Sequence, residues 1–208
     1  MSIKEQVTAG IDVGGRRKGF HAVALLAGKY FAHTESCDFN AIARWCRDNK
    51  VEAVGIDAPC CWSRDGRQRS AERELAAKRL SCFSTPTLKQ AQGHPTDYYG
   101  WMLNGADMYT ALLPSFRLFD GKAVIKPVCF ETFPHAIACE LAGGTIGRKD
   151  KVRRRRELLE EAGIDTRPLT NVDLRDAALC ALTAHALLLG RVRTYGDAAD
   201  GIIVVPTR

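Results

Sequence analysis

Residues 7–28 read VTAGIDVGGRRKGFHAVALLAG. Two apolar runs flank a turn-forming GGRRKG, so the stretch predicts two strands joined by a tight turn. One acid, Asp12, interrupts the first run just before the paired glycines. Residues 54–59, VGIDAP, repeat the pattern, with Asp57 closing a second apolar run before Pro59. Proline cannot donate to a strand ladder and ends that strand. An ionised carboxylate costs several kcal/mol to bury unless it is paired or bound to a cation. Two greasy strands that both end on aspartate therefore call for a positive charge nearby.

Working outward, KYFAHTESC (29–37) alternates and predicts a third strand, completing an antiparallel meander. DFNAIARWCRDNK (38–50) places Ile42, Trp45 and Cys46 at helical spacing, with Asp38 or Asn40 as cap. VEAVGIDAP (51–59) is apolar enough for a central strand covered on both faces. Residues 60–127 differ: a basic helical candidate at 63–80, a loop-like 81–100 and a helical 101–114. That span is too long for a loop and predicts an insertion after strand four. KPVCFETFP (126–134) resumes strand character, and PHAIACELAGG (134–144) is a short helix with Pro134 near its start. KDKVRRRRELLEEAGI (149–164) is helical with Val152, Leu159 and Ala162 on one side. NVDLRDAALCALTAHALLLG (171–190) is the strongest helix, with Leu174, Ala177, Ala178, Ala181, His185 and Leu188 on one face. His185 reads as a satisfied core histidine, and GIIVVP (201–206) is a last short extended piece. The pattern implies an α/β chain of one domain with a mixed five-stranded sheet flanked by helices.

With 208 residues and 46% hydrophobic content, the chain is large enough for an ordinary packed core. A net charge of +6 suits an anionic partner without requiring one. Eight cysteines form no C-x-x-C pair, and most sit in apolar runs where a thiol acts as a small hydrophobe. This reads as a reducing cytoplasm. The longest greasy stretch, 177–190, is too short to span a bilayer and contains His185. No membrane partner is expected, and the oligomeric state stays open, a dimer included.

Five acids interrupt apolar structure: Asp12, Asp57, Glu131, Asp173 and Asp176. Each has a local explanation. Asp12 can shape the turn, Asp57 can cap one, Asp173 can cap its helix, and Glu131 can pair with an arginine. Together they suggest a hard divalent cation, Mg²⁺ or Mn²⁺, which takes carboxylate oxygens and substrate phosphate. Asp173 and Asp176 lie at i and i+3, on one side of a helix's first turn, where the macrodipole favours their charged form.

The order of elements, with GIDVGG on strand one, GIDAP on strand four and DLRDAALCA opening the last helix, resembles the RNase H-like superfamily. The chain is most similar to the domain-of-unknown-function family 429, described as predicted RNase H-like nucleases, over roughly residues 9–206. The resemblance implies an RNase H-like fold and a metal site in which Asp12 bridges, Asp57 supplies the strand-four ligand, and Asp176 with Asp173 supplies the helix ligand. Asp57 stands where many of those nucleases carry a glutamate, and Glu131 is the acid to make up its reach. Asp12, Asp57, Glu131 and Asp176 are thus the catalytic candidates, and Asp12, Asp57, Asp173 and Asp176 the metal ligands.

Arg67, Arg69 and Arg73 on the insertion, with Lys149 and Arg153 in the second basic run, are candidates for phosphate contact. Tyr98, Tyr99, Trp101 and Tyr109 offer stacking faces or insertion core. In the arginine run, Arg153–Glu157 and Arg156–Glu160 are spaced to pair with each other. The leading expectation is a metal-dependent nuclease acting on nucleic acid. The alternatives are an ATP-binding phosphotransferase-like domain, in which the glycines cradle phosphate, and a non-catalytic binding module.

Overall fold

The structure, a computed structural model, describes residues 6–80, 82–147 and 150–208. The chain is α/β. Strands β1 (Val7–Val13), β2 (Phe20–Leu26) and β3 (Lys29–Ser36) form the expected meander and lead into helix α1 (Phe39–Asp48) and strand β4 (Ala53–Asp57). Asp38 caps α1 by accepting from the Asn40 amide at 2.8 Å. Next come helices α2 (Ser70–Ala77), α3 (Leu88–Gln92) and α4 (Gly100–Leu112), a 3₁₀ turn over Asp97–Tyr99 before α4, and the two-residue strand β5 (Arg117–Leu118). Strand β6 (Val128–Thr132), helices α5 (Pro134–Ala142), α6 (Lys151–Glu161) and α7 (Val172–Leu188), and the hairpin β7 (Val192–Asp197) and β8 (Gly201–Pro206) complete it.

The sheet has eight strands, in the order β3-β2-β1-β4-β6-β8-β7, with β5 paired to β6. This corrects the expected five. The last extended piece joins the sheet as β8, parallel to β6, and β7 pairs with it antiparallel. Strands β1, β4, β6 and β8 run parallel, so their carboxyl ends open on one edge of the sheet. The residues called loop-like also hold α3, which opens on a capping box: Gln90 N–H donates to Thr87 Oγ1 at 3.2 Å, and Thr87 N–H donates to Gln90 Oε1 at 2.8 Å.

One face of the sheet packs Ala9, Ile11, Val13, Val54 and Ile56 against Ile42 and Cys46 of α1 and Met108 and Leu112 of α4. Within α1 the buried residues are Ile42, Ala43 and Cys46, and Trp45 lies at the edge of that cluster. The other face is covered by α7, which is buried nearly all round. Its approach is set by two glycines. A Cβ on Gly10 would collide with the Ala177 carbonyl and the Ala181 amide, and one on Gly55 would lie 2.7 Å from the Cys180 carbonyl oxygen. Thr8 Oγ1 donates to the Ala181 carbonyl at 3.3 Å and fixes the same contact. Outside α7, helix α6 turns Leu158 and Leu159 inward, whereas Val152 is 54% exposed, contrary to the expected face. No helix among the described residues is long and apolar enough to cross a membrane.

Candidate functional site

The acids gather where the parallel strands end. Asp12 and Asp57 are register partners on neighbouring parallel strands, and His21 sits opposite Asp12 on β2. Register partners point to one face, so all three lie on the side that α7 covers. The first turns of α7 stand over them. Asn171, rather than Asp173, caps that helix, accepting from the Leu174 amide at 2.8 Å. The cap leaves the Asp173 carboxylate available for Lys18, whose Nζ donates to it at 2.7 Å. Asp176, 4% exposed, receives Arg155 Nε and lies 3.2 Å from Lys151 Nζ.

Asp12 is in a different position. Its Oδ2 is buried with no hydrogen-bond partner among the described residues, as is His21 Nδ1, 3.9 Å away. One ligand atom each from Asp12, His21 and Asp173 falls within 4.8 Å of the others. Burial, then repulsion from Asp176, pushes the Asp12 carboxyl up to about 7, against the pull of Lys18. Burial, followed by Asp12 and Asp176, holds Asp57 well above the usual carboxylate range. The two strand-end acids therefore crowd each other in a site short of positive charge.

Glu131 does not join them. Both of its oxygens are taken by Arg69, at 2.8 and 2.5 Å, and Oε2 also accepts the Cys60 amide at 2.9 Å. This corrects the expectation that Glu131 extends the reach of Asp57. It corrects Arg69 as well, which is 2% exposed and also donates from Nε to Glu72 at 2.8 Å and from Nη1 to Cys61 Sγ at 3.7 Å. Glu72 in turn accepts from the Thr85 amide at 3.1 Å, so the network ties the residues after β4 to β6. Arg67 and Arg73 are exposed, one beside Asp65 and the other donating to the Gln68 carbonyl. Arg153 pairs with Asp150 and Glu157, each at 3.1 Å, and Arg156 with Glu160 at 2.8 Å, as their spacing predicts. Lys149 lies outside the described residues.

The cations that do reach the acids are Lys18, Lys151 and Arg155, none of them singled out by the sequence reading. Arg155 was legible in principle. It stands three and four residues before the buried Leu158 and Leu159, and so on the inward face of α6. Lys151 precedes it by one turn. His21 follows from pairing β2 with β1 in register.

Beside the acids lies a cavity of about 720 Å³. Asp57, Asp176, Lys151 and Arg155 line it together with the aromatic residues Phe83, Trp101 and Phe133.

The model of one protein family matches residues 10–200. The chain belongs to that family, described as Protein of unknown function (DUF429). No curated protein and no solved structure matches it. The span shared with DUF429 contains all four clustered acids, the three cations that face them and His21. It also contains the whole of residues 60–127, so the elements that carry Phe83 and Trp101 are part of the DUF429 unit.

Proposed function

We propose that this DUF429 chain is a divalent-metal-dependent phosphodiester hydrolase acting on nucleic acid, of the RNase H-like kind. The observation that carries the reading is the Oδ2 of Asp12, which has no hydrogen-bond partner among the described residues and lies buried beside Asp57 and beneath the two acids of α7. A buried carboxylate oxygen without a partner is costly, and a bound cation relieves that cost. The donors suit such an ion. Asp12, Asp57, Asp173 and Asp176 offer hard oxygens and His21 one imidazole nitrogen, a set that takes Mg²⁺ and takes Mn²⁺ more readily. The strand order β3-β2-β1-β4-β6, with β2 antiparallel to β1, also supports the RNase H-like reading.

Asp12 would hold the ion with Asp57, its register partner, beside it, while His21 and Asp173 offer ligand atoms within 4.8 Å of the Asp12 carboxylate. Bound there, Mg²⁺ or Mn²⁺ would supply Lewis acidity toward a phosphoryl oxygen and would lower the pKa of a water, making hydroxide available to attack the phosphorus. Arg155 and Lys151 stand at the acid end of the cavity, where they offset the charge of phosphate oxygens. Asp176 accepts from Arg155 Nε and pairs with Lys151 Nζ at 3.2 Å, which orients both cations. All eight cysteines are free, in keeping with a reducing cytoplasm.

The phosphotransferase reading finds less support. Gly14 N–H donates to the Gly19 carbonyl at 2.8 Å, and the Lys18 and Gly19 amides both donate to the Gly15 carbonyl, so the hairpin closes on itself instead of cradling phosphate.

The test is cleavage of labelled RNA, single-stranded DNA, hybrids and junctions in Mn²⁺. Cleavage that disappears in Asp12→Asn and in Asp57→Asn supports the proposal. Cleavage that persists unchanged in Asp12→Asn, or no cleavage of any of these, overturns it.

A further inference from the structure

The acid group is recessed. Asp12 is 6% exposed, Asp176 4% and Arg155 2%, and the approach to Asp57 and Asp176 is the cavity they line. A base-paired duplex carries its phosphates on a wide, convex surface and cannot lower one of them into a pocket of about 720 Å³. One nucleotide released from its pair can enter a cavity of that size.

The lining fits such a guest. Its acid end carries Lys151 and Arg155 for a phosphate. Its other walls carry aromatic rings from three separate places: Phe83 from the segment between α2 and α3, Trp101 from α4, and Phe133 from the end of β6. Phe83 and Trp101 meet edge to face with ring centroids 5.8 Å apart. Phe83 is nevertheless 60% exposed. A large aromatic left that open beside a cavity gains little from the fold, whereas it offers a stacking face to a base.

We infer that this cavity receives a single unpaired nucleotide, its base against Phe83 and Trp101 and its phosphate at the Lys151–Arg155 end. The inference rests on the hydrolase reading for its orientation and narrows the substrate to strands with an unpaired nucleotide, or to a free nucleotide of the same chemistry. Phe83 acts here in binding.

The experiment uses 2-aminopurine, whose emission falls when the base stacks on an aromatic ring, with Ca²⁺ in place of Mg²⁺ to hold the strand uncut. The probes are the free 2-aminopurine nucleoside monophosphate, a single-stranded oligonucleotide containing 2-aminopurine, and a blunt duplex in which that base is paired. Quenching by the protein with the single strand, with the free nucleotide, or with both supports the inference and identifies the source. The Phe83→Ala variant should then bind roughly tenfold more weakly, the usual effect of losing one stacking face, and Phe83→Tyr should restore binding. Quenching of the paired duplex equal to that of the single strand overturns it. So does a Phe83→Ala variant that binds and quenches as the unaltered protein does. The readout is independent of cleavage, so a protein that stacks the base but cuts nothing defeats the hydrolase reading alone.

Discussion

Asp12 and Glu131 look alike in the sequence, each an acid inside a greasy strand, yet they do opposite things. Glu131 is answered by an arginine 62 residues away, whereas Asp12 Oδ2 has no partner among the described residues. Nothing local to either residue separates these fates, because the partner, Arg69, comes from the long segment after β4. The difference gives two expectations. Asp12 is pushed up to about 7 in the folded chain, so its neutral form is the one the fold favours. Stability without metal is then greatest below the ordinary carboxylate value of about 4 and falls as pH rises toward 7. Thermal melts in EDTA should show a lower midpoint at pH 8 than at pH 5.5, as far as this site is concerned. Mn²⁺ should raise the midpoint more at pH 8, and Asp12→Asn should remove most of that gain. By contrast, Arg69→Met strands Glu131 and Glu72 as buried, unpaired charges and should cost about 3–5 kcal/mol in denaturant titrations, with or without metal.

Helix α7 was the most legible part of the chain, and its contact with the sheet shows why the site is where it is. Gly10 and Gly55 let the helix backbone reach the strands, and that approach sets Asp173 and Asp176 over Asp12 and Asp57. Gly10→Ala places a methyl group against the Ala177 carbonyl and the Ala181 amide. It should cost about 3 kcal/mol by overpacking and weaken Mn²⁺ binding by calorimetry, although the substitution adds no charge. The strands that escaped notice have physical reasons to do so. Strand β7 is a half-exposed edge with Gly196 near its end, so it lacks the apolar run that betrays β4. Strand β5 is two residues long and exists through its pairing with β6. Helix α6 misled because four consecutive arginines read as a solvated face, while the inward position among them belongs to Arg155.

Seen entire, the molecule places Asp57 at the end of β4, Asp176 of α7 and the aromatic residues of the long segment after β4 around one opening. Exposed arginines such as Arg153 and Arg156 pair with neighbouring acids and so offset charge locally. Replacing Arg153 by alanine should therefore leave the melting midpoint and cleavage nearly unchanged, whereas Lys151→Ala should reduce cleavage strongly, as kinetics on one labelled strand would show. The central claim is that the acids at the ends of β1 and β4 share a cation. Anomalous diffraction from crystals grown in Mn²⁺ tests it most directly. A shared cation would give a peak in contact with carboxylate oxygens of both Asp12 and Asp57. Well-ordered acids with no anomalous density between them at millimolar Mn²⁺ would contradict it.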